Sequence, residues 1–356
     1  MAVLVKKGVT ALSELLIDVD KNWGGFSVEN IGAPPADVDA LPRGLVDIYS
    51  GDYGLNWVDL GIPAGGGRIL SMAYLGNGVV IFGDDTLGGH IYRSVNYGAT
   101  WVDLGVITSN DGICMISLGN GIAIVGDYNG RCFRSTDYGA TWVDLGVIAA
   151  GHGSEMLYLG NGIALYGINA VAGALYRSTD YGATWNNIGQ ITASNYYESF
   201  AYMGNGIACF GDAVGHVFRS IDYGATWADL GVIAPGPAIS IHVMAYLGNG
   251  IAILGDENDH VQRSTDYGAT WVDLGEIIPG DMFRSIACLG NGIAIIGTNA
   301  SNIWRSTDYG LTWADLGGVI GGRVMGIAYC GNGITITGDY SRHVCRSTSA
   351  FQHWKG

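Results

Sequence analysis

Positive charge is scarce in this sequence: its 356 residues include 17 Lys plus Arg against 32 Asp plus Glu, a formal net charge of -15. A surface of that sign repels phosphate backbones and anionic headgroups, so neither nucleic acid nor membrane insertion is expected. Only 14% of the residues are charged, a poor supply for long amphipathic helices with a charged face. Nowhere do the roughly 18 consecutive apolar residues of a membrane helix occur. Met1 to Asp20 carries two lysines but no apolar run fit for a signal peptide, which predicts synthesis and assembly in the cytoplasm. The six cysteines (Cys114, Cys132, Cys209, Cys288, Cys330 and Cys345) stand singly in apolar runs without CxxC spacing. That excludes a zinc knuckle or a disulfide framework and predicts reduced core thiols. No cofactor or metal is called for.

What is abundant is glycine, 59 residues of it, which suits many short strands joined by tight turns. Self-comparison shows one phrase, Arg134-Ser-Thr-Asp-Tyr-Gly-Ala-Thr-Trp142, recurring at a period of about 42 residues. Its tryptophans stand at Trp57, Trp101, Trp142, Trp185, Trp227, Trp271 and Trp313, with a degenerate last copy at Trp354. A second phrase, Gly-Asn-Gly between apolar runs, has its asparagines at Asn77, Asn120, Asn161, Asn205, Asn249, Asn291 and Asn332. Asn-Gly favours two-residue hairpins because both positions tolerate positive φ. Each unit reads as four short antiparallel strands, for example Ile69 to Leu75, Val79 to Phe82, His90 to Ser94 and Thr100 to Leu104. Four strands per 40 to 45 residues is the size of one propeller blade, with a solenoid the weaker alternative. The fold class is therefore all-β, a seven-bladed β-propeller over residues 44–356. Eight tryptophan phrases but seven hairpins leave one extra outer segment. Asn56 to Leu60 is expected to supply the outermost strand of the last blade and so close the ring.

The octapeptide Ser135-Thr-Asp-Tyr-Gly-Ala-Thr-Trp142 resembles the Asp box, S-x-D-x-G-x-T-W, of sialidase-like (BNR-repeat) propellers. Its acidic positions here are Asp52, Asn96, Asp137, Asp180, Asp222, Asp266 and Asp308. In chemical terms Ser and Asp can bond turn backbone, Gly relaxes φ and Trp wedges between strands, so the box is read as structural. The arginine before each box (Arg93, Arg134, Arg177, Arg219, Arg263, Arg305, Arg346) is given one repeated structural role for the same reason. The N-terminal segment, residues 1–43, differs. Residues 24–47 resemble a short segment common in bacteriophage tail fibres, G-x-x-I-x-N-L-x-x-P, four residues, then D-A-x-x-K-G-Y-V-D. It matches at Gly25, Val28, Asn30, Ile31, Pro34, Asp39, Ala40, Arg43, Gly44, Leu45, Val46 and Asp47. That resemblance implies a virion-associated fibre and favours a homotrimer through this segment.

In a four-stranded blade, the loops between strands one and two and between three and four share one face; the remaining loops share the other. Gly-Asn-Gly and the octapeptide, nearly invariant, then share a constant face, and the segments that differ between blades share a variable one. On the variable face the candidate ligand-binding residues are Arg68, Asp85, Tyr128, Arg131, His152, Tyr196, Tyr197, Glu198, His216, His260, Arg284, Arg323, Arg342 and His343. Aromatic, carboxylate and guanidinium groups around one mouth suit a surface glycan, or alternatively a receptor protein. The aspartates Asp84, Asp127, Asp212, Asp256 and Asp339 recur one per blade, too dispersed for a calcium cage, and are read as turn-bonding groups. Glycoside hydrolysis is the rival reading. The arginine triad and early Arg-Ile-Pro motif of sialidases are not evident, and no catalytic residue is assigned. Glu155, Glu198, Glu257, Asp85 and Asp281 are the carboxylates from which a hydrolytic pair would have to come. A binder is the expected outcome, and a protein-binding assembly scaffold the further alternative.

Overall fold

The computed structural model describes residues 54–63, 67–85, 88–169, 173–194, 196–234, 236, 239–319 and 321–347. Asp52, Trp354 and the segment 24–47 lie outside the described residues. Among those described are 28 strands and no helix. They form seven four-stranded antiparallel sheets. Blades 1 to 6 run from Ile69 to Val106, Gly112 to Val147, His152 to Gln190, Tyr197 to Val232, Ile241 to Glu276 and Phe283 to Gly318. Blade 7 takes three strands from Val324 to Ser347 and its fourth from the other end of the chain. There Trp57–Asp59 pairs with the strand Val344–Ser347, with Val58 opposite Arg346. The first strand of each blade lies innermost and neighbours its counterparts in ring order, with Val324–Tyr329 returning to Ile69–Gly76. The molecule is a seven-bladed β-propeller whose seam is the strand borrowed for blade 7.

Each hairpin between strands one and two turns on its Gly-Asn-Gly phrase. Asn77 and Gly78 have φ of 52° and 76°, the mirror-image turn whose twist matches that of the strands it joins. The octapeptide turn then docks on this hairpin. Tyr138 donates its N–H to the Gly121 carbonyl at 2.8 Å, and its ring lies against Gly121 so closely that a Cβ there would meet it at 2.6 Å. Tyr138 itself sits at φ 58°, an unfavourable region for a residue with a side chain, stabilised here by this docking. The two constant phrases therefore share one face of the ring.

Within the octapeptide, Ser135 Oγ accepts the N–H of Gly139 at 2.9 Å and donates to Asp137 Oδ1 at 2.8 Å. Asp137 also accepts from the Thr141 N–H and hydroxyl, at 2.8 and 2.6 Å. Burial alone would raise the Asp137 pKa, but the Thr141 and Ser135 hydrogen bonds overcome it and hold the carboxyl below its ordinary value. Asp180, Asp222, Asp266 and Asp308 behave alike. A depressed carboxylate stabilises the fold above its unfolded pKa, and that contribution is lost as pH falls through the folded value.

The core is divided among the blade interfaces. Seven hydrophobic clusters lie between successive blades, such as Leu75, Ile81, Ala123 and Val125 between blades 1 and 2, with Trp142 packed on them. The seventh joins blade 6 to blade 7 and takes in Trp57. Five of the six cysteines are buried and Cys288 is half-buried, all as free thiols. Arginines before the octapeptides reach the next blade: Arg93, Arg134, Arg177, Arg219 and Arg263 donate Nε–H to the carbonyls of Tyr138, Tyr181, Tyr223, Tyr267 and Tyr309. Arg346 carries the same bond across the seam to Tyr97, at 2.8 Å.

Arg134→Ala should lower stability by about 1–3 kcal/mol, the usual worth of a hydrogen bond from a charged group. Arg134→Lys should recover only part, because the ammonium lacks the planar Nε–H geometry. Urea midpoints check this, and equal midpoints for wild type and Arg134→Ala would remove the inter-blade bond from the account of stability.

Candidate functional site

On the variable face, the loops between strands two and three of blades 1, 2, 4, 5 and 7 are closed by a buried aspartate, and in blade 6 the Thr298 hydroxyl takes that place. Asp127 Oδ1 accepts the N–H groups of Asn129 and Arg131, both at 2.9 Å, while Oδ2 accepts from the Ser109 hydroxyl at 2.6 Å. Asp212 does the same with Val214, His216 and Thr192, and Asp256 with Asn258, His260 and the Gln262 amide. These aspartates hold their own loops, the turn-bonding role expected of them.

Several candidate residues turn out to share one position. His216, His260 and His343 each place Nδ1 within 2.8–3.0 Å of an aspartate on the outermost strand: Asp229, Asp273 and Asp59 respectively. Arg131 is paired in the same way with Asp144, and His90, which sequence reasoning did not single out, with Asp103. In blades 1, 2, 4 and 5 the residue opening strand three faces the second residue of strand four, and in blade 7 His343, just before strand three, faces the last residue of the borrowed strand, so these pairs tie the outer strand to the blade. One polar group of each side chain is thereby taken up. Arg342 occupies an exposed turn position at φ 80°.

Tyr197, expected on the binding face, is a core residue and this expectation is corrected. It is fully buried, packs beside Phe200 and Phe210, and donates its hydroxyl to the Gly173 carbonyl at 3.0 Å. Its ring turns into the core at the start of the innermost strand while its neighbour Tyr196 stays 49% exposed. Asp85 is engaged as well: it accepts from the Arg68 backbone N–H at 2.7 Å and pairs with the guanidinium. The remaining aromatic candidates do meet. The rings of Tyr128 and His152, from blades 2 and 3, lie 3.7 Å apart between centroids, and both are exposed.

Toward the axis the geometry is more distinctive. Every innermost strand is interrupted by a bulge at the same place, where one residue has no partner on strand two: Leu70, Ile113, Ser154, Glu198, His242, Arg284 and Met325. A bulge re-aims its side chain. Here seven equivalent positions hold seven different residues. Ionisable groups occupy three successive blades, Glu198, His242 and Arg284, while Leu70 and Met325 make the arc across the seam apolar. Glu155, next to the blade 3 bulge, adds a second carboxylate beside Glu198.

Electrostatics follow from this crowding. Burial and then the charge of Glu198 push the Glu155 pKa from an ordinary 4.5 up to about 7. Burial, then Asp212 and Glu257, raise that of Glu198. Burial and the neighbouring Arg284 charge lower the His242 pKa, and its buried Nδ1 has no hydrogen-bond partner among the described residues. Arg284 is lowered by burial and then by Arg323. Its guanidinium is aimed by Asn299 Oδ1, which accepts from Nε and Nη2 at 3.3 and 3.2 Å. Arg323 lies over the Tyr340 ring, 5.2 Å from its centroid, and Arg68 over the same ring at 4.3 Å. The mouth is thus acidic along blades 3 to 5 and guanidinium-rich along blades 6, 7 and 1.

Of the predicted residues, Glu198, Arg284, Arg323 and Arg68 gather around this mouth, Tyr128 and His152 pair at the positions that Tyr340 and Arg68 hold between blades 7 and 1, and the histidines paired with outer-strand aspartates do not join them. Sequence reasoning placed His242 and Tyr340 in the variable loops without naming them as ligand-binding residues. Their signal was positional: aligned copies differ most at the bulge and at the residue after the buried aspartate.

No protein-family model matches the chain and no curated protein matches its sequence. Among solved structures the chain is similar to YCF48 bound to D1 peptide, at 17% identity and a TM-score of 0.67, covering 82% of this chain and 97% of that one. It is also similar to a catalytically inactive virginiamycin B lyase from Staphylococcus aureus with quinupristin, at 11% identity and TM-score 0.71, covering 83% and 99%. A third likeness is to the WD40 propeller domain of Doa1, at 9% identity and TM-score 0.66, covering 85% and 100%. At these identities the likeness extends to the fold alone: this chain belongs with propellers of diverse function.

Proposed function

We propose that this chain is a non-enzymatic recognition propeller that binds a segment of a partner protein at the variable mouth of its ring. The observation that carries the reading is the division of labour between faces. The constant face is built from repeated hydrogen bonds, whereas one structurally equivalent bulge on the other holds Leu70, Ser154, Glu198, His242, Arg284 and Met325 in different blades. A scaffold that keeps its geometry and varies only its inward side chains presents a unique surface without a repeated reaction centre. That a propeller of similar fold, YCF48, is described as bound to a peptide supports a polypeptide as the ligand.

A second reading, glycan recognition in the manner of a tail-fibre receptor binder, is favoured by the exposed Tyr128–His152 platform and by Tyr196, since sugar rings stack on exposed aromatic faces. The resemblances of the octapeptide to the Asp box and of residues 24–47 to the tail-fibre segment support it, and with it a homotrimer and a place on a virion.

The two are separated by screening the purified full-length protein on a glycan array and against a random peptide library, with mass spectrometry of the glycans for cleavage. Peptide binding that falls at least tenfold in Arg284→Ala but not in Thr136→Ala, a change on the constant face, is the expected result. Glycan retention lost in Tyr128→Ala and Tyr196→Ala would replace it with the second reading, and cleavage products would overturn the non-enzymatic assignment.

A further inference from the structure

The basic arc of the mouth combines features that rarely meet in a chain of net charge -15. Arg284 and Arg323 stand at adjacent innermost strands, where the next residues meet as Ser285 donates its hydroxyl to the Val324 carbonyl at 2.8 Å; the Arg323 charge disfavours that of Arg284, and among the described residues neither makes an ion pair. Arg68 and Arg131, by contrast, are matched with Asp85 and Asp144. Arg284 is aimed by a neutral amide, Asn299, and Arg323 is steadied on the Tyr340 ring, so both are held in place without a direct ion pair, with Asp281 and Glu257 acting on Arg284 from nearby. Paired guanidinium groups fixed in this way match the two oxygens of a carboxylate. Beside them, Met325 of blade 7 and Leu70 of blade 1 project from adjacent bulges. Both are only half-buried and neither belongs to a core cluster between blades. The opposite side of the mouth, with Glu155 and Glu198, repels a carboxylate and so leaves it one orientation.

On the reading that the mouth binds a protein segment, we propose that it is a clamp for a free C-terminus, with Arg284 and Arg323 holding the α-carboxylate and Leu70 and Met325 receiving an apolar last side chain. A chain end is the place in a polypeptide where a carboxylate and an apolar side chain leave the same Cα. An acidic sugar would also satisfy the guanidiniums, but its hydroxyls would meet Leu70 and Met325, which offer them no hydrogen-bond partner.

The test uses the full-length protein and a random heptapeptide library fused at its N-terminal side to a carrier, so that every peptide ends in a free carboxylate. Selected peptides are resynthesised as acids and as C-terminal amides, and binding is read by fluorescence anisotropy. Convergence on an apolar last residue is expected, with amidation weakening binding at least about tenfold, in the range for removing one partner of a charge-assisted pair. Arg284→Gln and Arg323→Gln should lose the same factor for the acid and no longer distinguish acid from amide, while retaining the wild-type melting temperature. Leu70→Ala with Met325→Ala should relax the preference for an apolar end. Peptides bound equally as acid and amide would overturn the clamp while leaving protein recognition standing. Acidic glycans bound in place of peptides would overturn both, as would silence in both screens.

Discussion

Glu155→Gln is expected to stabilise the protein by about 2–3 kcal/mol at pH 8 and to leave it nearly unchanged at pH 4. Glu155 sits on an innermost strand with Glu198 as its charged neighbour, retaining only partial contact with solvent. Its pKa rises from 4.5 to about 7 on folding. Between those values the native state keeps a proton that the unfolded chain has released, so stability falls as pH rises through this window and levels off above it. The amide removes the charge at no steric change, and a carboxyl moved so far corresponds to roughly 3 kcal/mol before allowance for the remaining solvent contact. Urea denaturation of both proteins at pH 4 and pH 8 measures it. A difference between them that is the same at both pH values would mean that Glu155 is not desolvated in the ring.

Gly130→Ala should destabilise by about 3–5 kcal/mol, among the larger effects open to a single substitution. Gly130 lies at φ 71°, in the turn that follows the buried Asp127. A Cβ there would fall 2.0 Å from the Ala149 carbonyl oxygen and 2.9 Å from that of Gly151. Both are backbone atoms and cannot swing aside as a side chain would, and Ile148 donates its N–H to the Gly130 carbonyl at 2.8 Å. Gly146→Ala separates the two causes. Gly146 has φ 82° with open space around its Cβ direction, so only the backbone conformation is penalised, by about 1–2 kcal/mol. Calorimetry of the pair tests the account: equal melting temperatures would show that the approach of Ala149 to Gly130 has no energetic weight. Because Tyr128 stands two residues before Gly130, the same change should also displace it from His152.

The ring could be read from the chain because its cause is repeated. The octapeptide and Gly-Asn-Gly are local devices, each satisfied by residues within a few positions of one another, so Ser135, Asp137, Gly139 and Trp142 announce their turn wherever they occur. The borrowed strand at Trp57 followed from arithmetic on the copies alone. The arginine before each octapeptide announced a repeated role but not its partner, since the Tyr181 carbonyl that Arg134 reaches lies 47 residues away in the next blade.

The site was less legible. His216, His260 and His343 read as ligand candidates because a histidine in a variable loop carries no sign of the aspartate that faces it from the neighbouring outer strand. Tyr196 and Tyr197 look identical in the sequence, and only the packing of Tyr197 against Phe200 and Phe210, at the start of the innermost strand, decides that one ring is exposed and the other buried. The amino-acid sequence by itself determined the strand count, the turns, the closure of the ring and the face that varies, because each depends on short-range hydrogen bonding repeated seven times. Tertiary structure alone decided that Glu198, His242 and Arg284 occupy the same bulge position on successive blades and that Arg323 stands near enough to act on Arg284. Those neighbours are one blade apart in the chain, and it is closure of the circle, with a bulge at the same height in every blade, that brings them to the axis.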